Sequence, residues 1–186
     1  MSQNRVLYPA KIRFYRWKSV GGVPKTISGS LDIGGAMSFR QEFLKLIINL
    51  YPPMLGAGIQ VKFLSREKKI LASMKLRFYN KNYVGTHYGG SLYSMCDGWF
   101  MVLLIDNLGR EYIVWDKRAS IVFKRPGKGT VRAEFFIPEE RYQDIREKVN
   151  QEGRAQEEFS VDVKDEKGDI VASVTKIISI RKRERQ

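Results

Sequence analysis

Histidine and cysteine are nearly missing from this 186-residue chain, which holds one of each, His87 and Cys96. A single pair of that kind cannot supply the usual ligand set of a zinc or other transition-metal centre, so no metal site is expected. A lone cysteine likewise excludes a disulfide framework. Long apolar runs are missing as well, since nothing approaches the roughly 20 consecutive apolar residues of a membrane-spanning helix. The opening run MSQNRVLYPAKIRFYRWK carries charge throughout and lacks the uninterrupted hydrophobic region of an export signal. These absences point to a soluble chain in a reducing cytoplasm. Acidic residues are in deficit, 20 against 33 Lys and Arg, for a formal net charge of +13. A surplus of that size attracts polyanions, and nucleic acid, an anionic membrane surface or a phosphorylated cofactor would all satisfy it. No RNP-type aromatic box, metal-finger spacing or leucine heptad accompanies the charge, so nucleic acid is not favoured as the partner.

The chain divides into an N-terminal extension over residues 1–36, one domain over 37–182 and a basic tail over 183–186. Ser38-Phe39-Arg40-Gln41 has the form of a capping box, and Phe39, Phe43, Leu46, Ile47 and Leu50 recur at helical spacing before Pro52-Pro53 ends the helix. Strand-like runs over 58–64 and 70–79 flank the charged turn at 65–69 and predict a hairpin. The almost uncharged stretch from Tyr88 to Asn107, closed by Gly109, is apolar nearly all round and predicts a buried central helix. Further strand-like runs follow over 112–124, 129–137, 158–163 and 170–180, with connections too short for crossover helices, so antiparallel pairing is expected. Pro138 opens a helical insertion that sets Tyr142, Ile145 and Val149 on one side and reads as a surface addition. The fold class is therefore α+β: an antiparallel sheet wrapped around a long central helix, with an extra N-terminal helix and a helical insertion.

The most informative window is Asn82-Tyr83-Val84-Gly85-Thr86-His87-Tyr88-Gly89-Gly90, followed by Asp97 eight residues after the first of the paired glycines. Amides at a helix start have no intrahelical partners and carry the positive end of the dipole, so Gly89 and Gly90 are placed to polarise a carbonyl. Eight residues at about 1.5 Å each put Asp97 about 12 Å further along, too far to act on a carbonyl held at its own helix start. An Asp within an apolar helix either bonds a neighbouring backbone group or does chemistry, because an unpaired charge there costs several kcal/mol. His87 is the one histidine available as a base, although it could equally support its loop. Asn82 could hold a carbonyl or shape the turn. Cys96 points about 100° away from Asp97 and reads as a small apolar filler. Trp115-Asp116-Lys117 interrupts a strand of alternating character and either lines a pocket or makes a cross-strand ion pair. Lys124, Arg125 and Lys128 surround a Pro-Gly turn and suit the phosphates of a cofactor, or are solvated turn charges.

This window resembles the hotdog thioesterases of the phenylacetate-pathway type, whose helix opens with Asn-x-x-Gly-Thr-x-His-Gly-Gly and carries a carboxylate at the spacing of Asp97 from Gly89. A second window, Ile121-Val122-Phe123-Lys124-Arg125-Pro126-Gly127, is similar to that group's strand ending in Arg-Pro-Gly. Asn82 to Gly90 and Tyr112 to Lys117 also resemble an uncharacterised bacterial branch of the superfamily. The resemblance covers about residues 40–182 and implies a hotdog fold paired as a homodimer or dimer of dimers, with one subunit's carboxylate facing the other's helix start. It implies hydrolysis of an acyl thioester with Asp97 as base or nucleophile and Gly89, Gly90, Asn82 and His87 around it. Lys124, Arg125 and Lys128 would hold coenzyme A, which enters as part of the substrate rather than as a cofactor. The chain departs from the pattern in placing Tyr88, not a histidine, directly before the glycines, and in lacking a strand hydroxyl that assists the carboxylate in some members. A non-catalytic acyl-CoA or lipid-binding hotdog protein is the alternative that these departures favour.

Overall fold

A computed structural model of the chain describes residues 47–64 and 67–183. The extension over 1–36, the capping box at Ser38, the helical positions Phe39, Phe43 and Leu46, and the last residues of the basic tail lie outside the described residues. Ile47 to Leu50 are helical, and Tyr51 bends the chain. Pro52-Pro53 then does not lead straight into a strand but opens a short helix, α1 (Pro52–Ala57), with proline in its first turn. Proline fits there because the first amides of a helix need no intrahelical acceptor. Gly58 closes α1 in a left-handed conformation, φ 72°, where a side chain would also crowd the Tyr79 hydroxyl.

The hairpin follows as β1 (Ile59–Leu64) and β2 (Lys69–Lys75). Next come α2 (Gly89–Cys96) and α3 (Trp99–Leu108), β3 (Tyr112–Phe123), β4 (Thr130–Phe136), α4 (Glu139–Glu152), β5 (Arg154–Lys164) and β6 (Ile170–Lys182). The six strands form one antiparallel sheet in the order β1-β2-β4-β5-β6-β3. Strict alternation makes this possible: β5 buries Ala155, Glu157, Phe159, Val161 and Val163 and turns the residues between them outward, of which only Asp162 is partly covered. The inward rows meet α2 and α3, whose Leu92, Met95, Trp99, Phe100 and Leu104 are buried. This is the hotdog arrangement, with the long helical segment as the filling and the curved sheet as the wrapper.

Three features differ from the sequence-based expectation: the central helix is interrupted, β2 ends at Lys75 instead of running on to 79, and β5 starts early. The central helix is broken at Asp97-Gly98: Asp97 leaves helical geometry at φ −78°, ψ 132°, and Gly98 takes φ 82° before α3 begins. The left-handed residue that permits the break is a glycine, the one type that adopts it at little cost. The Pro138 helix lies on the surface as expected, with nine of its fourteen residues exposed, and one face packs against the core. Tyr142, Ile145 and Val149 fall on that side, as their spacing predicts, and all three are at most 1% exposed. Glycine at 153 ends that helix, and β5 begins at once, four residues earlier than the apolar pattern shows.

α4 is also tied to β5 by charge. Glu157, on the inward row of β5, pairs with Arg141 and, at 2.8 Å, with Lys148. Its side chain is 2% exposed, whereas those of Arg141 and Lys148 are 40% and 49% exposed. The two cations would regain solvent if freed and the carboxylate would not. Removing both cations (Arg141→Met with Lys148→Met) is therefore expected to cost about 2 kcal/mol, while Glu157→Met should cost under about 1 kcal/mol. Urea unfolding of the two variants against the unaltered chain measures the asymmetry.

Candidate active site

The loop that leads into α2 is organised by its own side chains. The Asn82 amide nitrogen donates to the Thr86 hydroxyl at 2.9 Å and to the His87 carbonyl at 3.3 Å. Its carbonyl oxygen accepts the amides of Val84 at 3.1 Å and Thr86 at 3.0 Å. Both donors of Asn82 are thus engaged in shaping the turn. His87 is buried, and its Nε2 lies 3.1 Å from the Gly129 carbonyl, which makes that nitrogen the protonated one. Its backbone amide donates to the Gly127 carbonyl at 3.0 Å, so the histidine stitches the loop to the turn before β4. Nδ1 is buried without a hydrogen-bond partner among the described residues.

Burial lowers the His87 pKa below its usual 6.5, and the hydrogen bond to Gly129 offsets only part of this. The unfolded chain then takes up a proton at higher pH than the folded one. This contribution to stability is complete above pH 6.5 and is lost as the pH falls from there toward the lowered value. The decline in unfolding midpoint on acidification through this window should be shallower in His87→Asn than in the unaltered chain, as measured by urea titrations at several pH values.

Two clefts flank the start of α2. One, of about 490 Å³, is lined by Asn82, His87, Gly89, Phe123, Lys124 and Arg125. The other, of about 400 Å³, is lined by Tyr79, Asn80, Tyr88, Gly90 and Ser94. Five of the residues singled out from the sequence therefore share one cleft, and Gly90 opens onto its neighbour. Lys128 is exposed and lines neither, and Arg125 is paired at 2.6 Å with Asp169. The paired glycines also have a packing reason. A Cβ on Gly89 would stand 2.8 Å from Cζ of Phe123, and one on Gly90 2.5 Å from the Tyr88 ring. Both residues are more than half exposed, at 56% and 59%, so each ring lies beside one of the paired glycines at the protein surface. The place expected for a histidine is thus occupied by a ring lying over Gly90.

Asp97 lines neither cleft. It stands at the break between α2 and α3 with its side chain 51% exposed. Its Oδ1 accepts from Lys176 Nζ at 2.5 Å and from the Tyr93 hydroxyl at 3.2 Å. Lys176 donates a second bond, 2.7 Å long, to Asp116 Oδ2, and its ammonium lies 5.6 Å from the Tyr93 ring centroid. The lysine is 1% exposed, so it is a fully buried cation held between two carboxylates. Burial alone would lower its pKa, but the hydrogen bonds and charges of Asp116 and Asp97 more than offset this and raise it above the usual 10.5. The ammonium therefore stays charged at any ordinary pH. Asp116 makes the cross-strand ion pair weighed from the sequence, reaching Lys176 from β3 to β6, and Trp115 beside it is exposed and lines neither cleft. Cys96 is buried with its thiol pushed up to about 12, mainly by burial, which leaves it without thiolate character at neutral pH.

Lys176 is the residue that reading the sequence missed, although a signal was present. In Val174-Thr175-Lys176-Ile177-Ile178-Ser179-Ile180, Val174, Ile178 and Ile180 mark the inward phase of β6, and Lys176 falls on it. A charge in a core row breaks the binary pattern, and such breaks gather at functional sites.

Among the described residues, no group of three or more potential ligands comes together to hold a metal, and no helix is long and apolar enough to cross a membrane. Among solved structures, the chain is similar to a Pseudomonas aeruginosa protein of unknown function named a "probable thioesterase". The two are 20% identical with a TM-score of 0.71, over 80% of this chain and all of that one. A protein of unknown function from Chlorobaculum tepidum matches at 18% identity and a TM-score of 0.62, over 77% of this chain and 95% of that one. A Haemophilus influenzae thioesterase matches at 14% identity and a TM-score of 0.57, over 78% of this chain and 93% of that one. At these identities the likeness concerns the fold, which this chain shares with proteins named thioesterases. No curated protein matches the sequence. The family model for "Domain of unknown function (DUF4442)" matches residues 40–180, and the chain belongs to that family, a hotdog-fold branch.

Proposed function

We propose that this protein hydrolyses an acyl-coenzyme A thioester at a site composed from two copies of the chain. The observation that supports this best is the pairing of two elements on one helical segment. A helix start, whose first amides have no intrahelical partner, borders a cleft of about 490 Å³, and eight residues on stands a half-exposed carboxylate bonded to a buried ammonium. Neither element is complete alone. The cleft in one copy lacks the carboxylate, because Asp97 does not line it.

The open edge of β3 is where a second copy would supply it. β3 is a twelve-residue strand at one end of the sheet, and Trp115, Val122 and Phe123 on it are exposed. A long strand at the end of a sheet leaves backbone groups that can pair with another strand, and apolar side chains stand at both ends of this one, on either side of the charged run Asp116-Lys117-Arg118. At the opposite edge, by contrast, the Asn49 side chain binds both backbone groups of Val61 on β1. Phe123 at the end of β3 also touches Gly89, so a partner seated on this edge would stand next to the helix start.

In this reading the α2 amides polarise the thioester carbonyl once Phe123 and Tyr88 swing aside, and Asp97 of the other copy activates water or attacks the acyl carbon. Lys124 at the mouth of the cleft meets phosphate of coenzyme A, with Arg125 and Lys128 adding positive charge nearby. Asn82 and His87 keep the loop in shape.

The test is thiol release from a panel of acyl-CoA substrates by the unaltered chain and by Asp97→Ala. Release by the first and not by the second supports hydrolysis. No release by either, together with tight acyl-CoA binding by both, would replace the proposal with a non-catalytic acyl-CoA carrier. The ring over Gly90 in place of a histidine favours that second reading.

A further inference from the structure

Three departures from regular structure converge on one carboxylate. The central helix breaks so that Asp97 leaves helical geometry. β3 carries a bulge between Asp116 and Arg118, and bulges of this kind re-aim a side chain. β6 places Lys176 on its inward row among Val174, Ile178 and Ile180. Each departure has a cost, and each contributes one member of the chain Asp97, Lys176, Asp116. Stability does not explain the set, since an apolar side chain of similar volume in a core row is commonly as good as a buried ion pair or better. The orientation of Asp97 does. Both bonds to its carboxylate fall on Oδ1, and among the described residues Oδ2 has no donor. One oxygen is pinned and the other is left free.

We infer that Lys176 is a positioning residue. Anchored by Asp116, it holds Asp97 by one oxygen and presents the other oxygen to the acyl substrate. This rests on the reading of Asp97 as the working carboxylate. The charged and titratable groups around Asp97 are Lys176 from β6, Tyr93 and Cys96 from α2, and Asp116 from β3 behind the lysine. The ammonium is the only cation among them.

The experiment uses the full chain and two variants, Lys176→Ala and the charge-compensated Lys176→Met with Asp116→Asn, which keeps the fold testable if the first is poorly folded. Two readouts are taken. In acyl-CoA hydrolysis, kcat is expected to fall about 100-fold in both variants with KM within about 3-fold, as for a misplaced rather than a missing group. Ethylammonium chloride should restore part of kcat to Lys176→Ala, by entering the space of the lost side chain, while sodium chloride at equal ionic strength should not. A merely structural lysine would give no such rescue, and an unchanged kcat in a folded variant overturns the inference. The second readout needs no turnover: the carboxyl carbon resonance of Asp97, identified through Asp97→Asn. It is expected to be single and sharp in the unaltered chain and shifted or broadened in both variants, with ethylammonium reversing the change in Lys176→Ala. Should the unaltered chain hydrolyse nothing, the functional reading falls and the resonance alone decides the contact. A resonance that ignores the loss of Lys176 overturns it.

Discussion

Replacing Asp97 with asparagine should lower kcat for acyl-CoA hydrolysis by about 10²–10⁴-fold while leaving KM within a few-fold, the range in which positioned acid-base groups act. The asymmetry between the two constants follows from where the residue stands. Asp97 borders neither cleft beside the helix start and so adds little to holding the ground state. Asparagine keeps the volume and can still accept from Lys176 and Tyr93. What it lacks is the negative charge, so the loss reports chemistry and not packing. Unfolding measured on the same sample separates the two, because it registers the loss of one of the two carboxylates that hold the buried Lys176 ammonium, whereas the activity assay registers the loss of the charge at the reacting carbon. Burst kinetics then distinguish attack by the carboxylate from activation of water, since only the former accumulates an acyl-enzyme.

Phe100→Ala should remove about 3–5 kcal/mol of stability, the range for truncating a fully buried phenylalanine. The ring is 3% exposed and joins three elements. It lies 5.2 Å from Phe135 of β4, edge-on at 76°, and 5.0 Å from Phe159 of β5, stacked at 24°. Such aromatic pairs add about 0.5–1.5 kcal/mol each beyond area burial. A cavity at this point separates α3 from the middle of the sheet, and neither sheet nor helix can collapse into it without moving the other. For a chain of this size the loss should lower Tm by about 2–4 °C for each kcal/mol, read by calorimetry or circular dichroism. Phe100→Leu, which leaves much of the volume filled, should cost markedly less.

Much of this architecture was legible in the residues. Strand-like runs located all six strands, with β5 identified from its centre outward. Its first residues, Arg154, Gln156 and Glu157, carry no apolar signal, and the inward Glu157 is buried only because α4 brings Arg141 and Lys148 to it. The amphipathic spacing of Tyr142, Ile145 and Val149 named the face of α4 that packs on the core, while the rest of the helix stays on the surface. The paired glycines and the spacing to Asp97 were readable as well, and the structure gathers Asn82, His87, Gly89, Lys124 and Arg125 around one cleft.

The sequence by itself determined the elements, their order and the carboxylate at the end of α2, because hydrophobic period, turn residues and glycine placement are local properties written in neighbouring residues. Only the tertiary structure decided that Asp97 sits at a break in the helix, that His87 is held in the loop by the Gly129 carbonyl, and that Lys176 lies between Asp97 and Asp116. Lys176 is 79 residues from one partner and 60 from the other. No local pattern reports a contact across such a separation, since it exists only once β6 has paired with β3 and the helical segment has been laid against both.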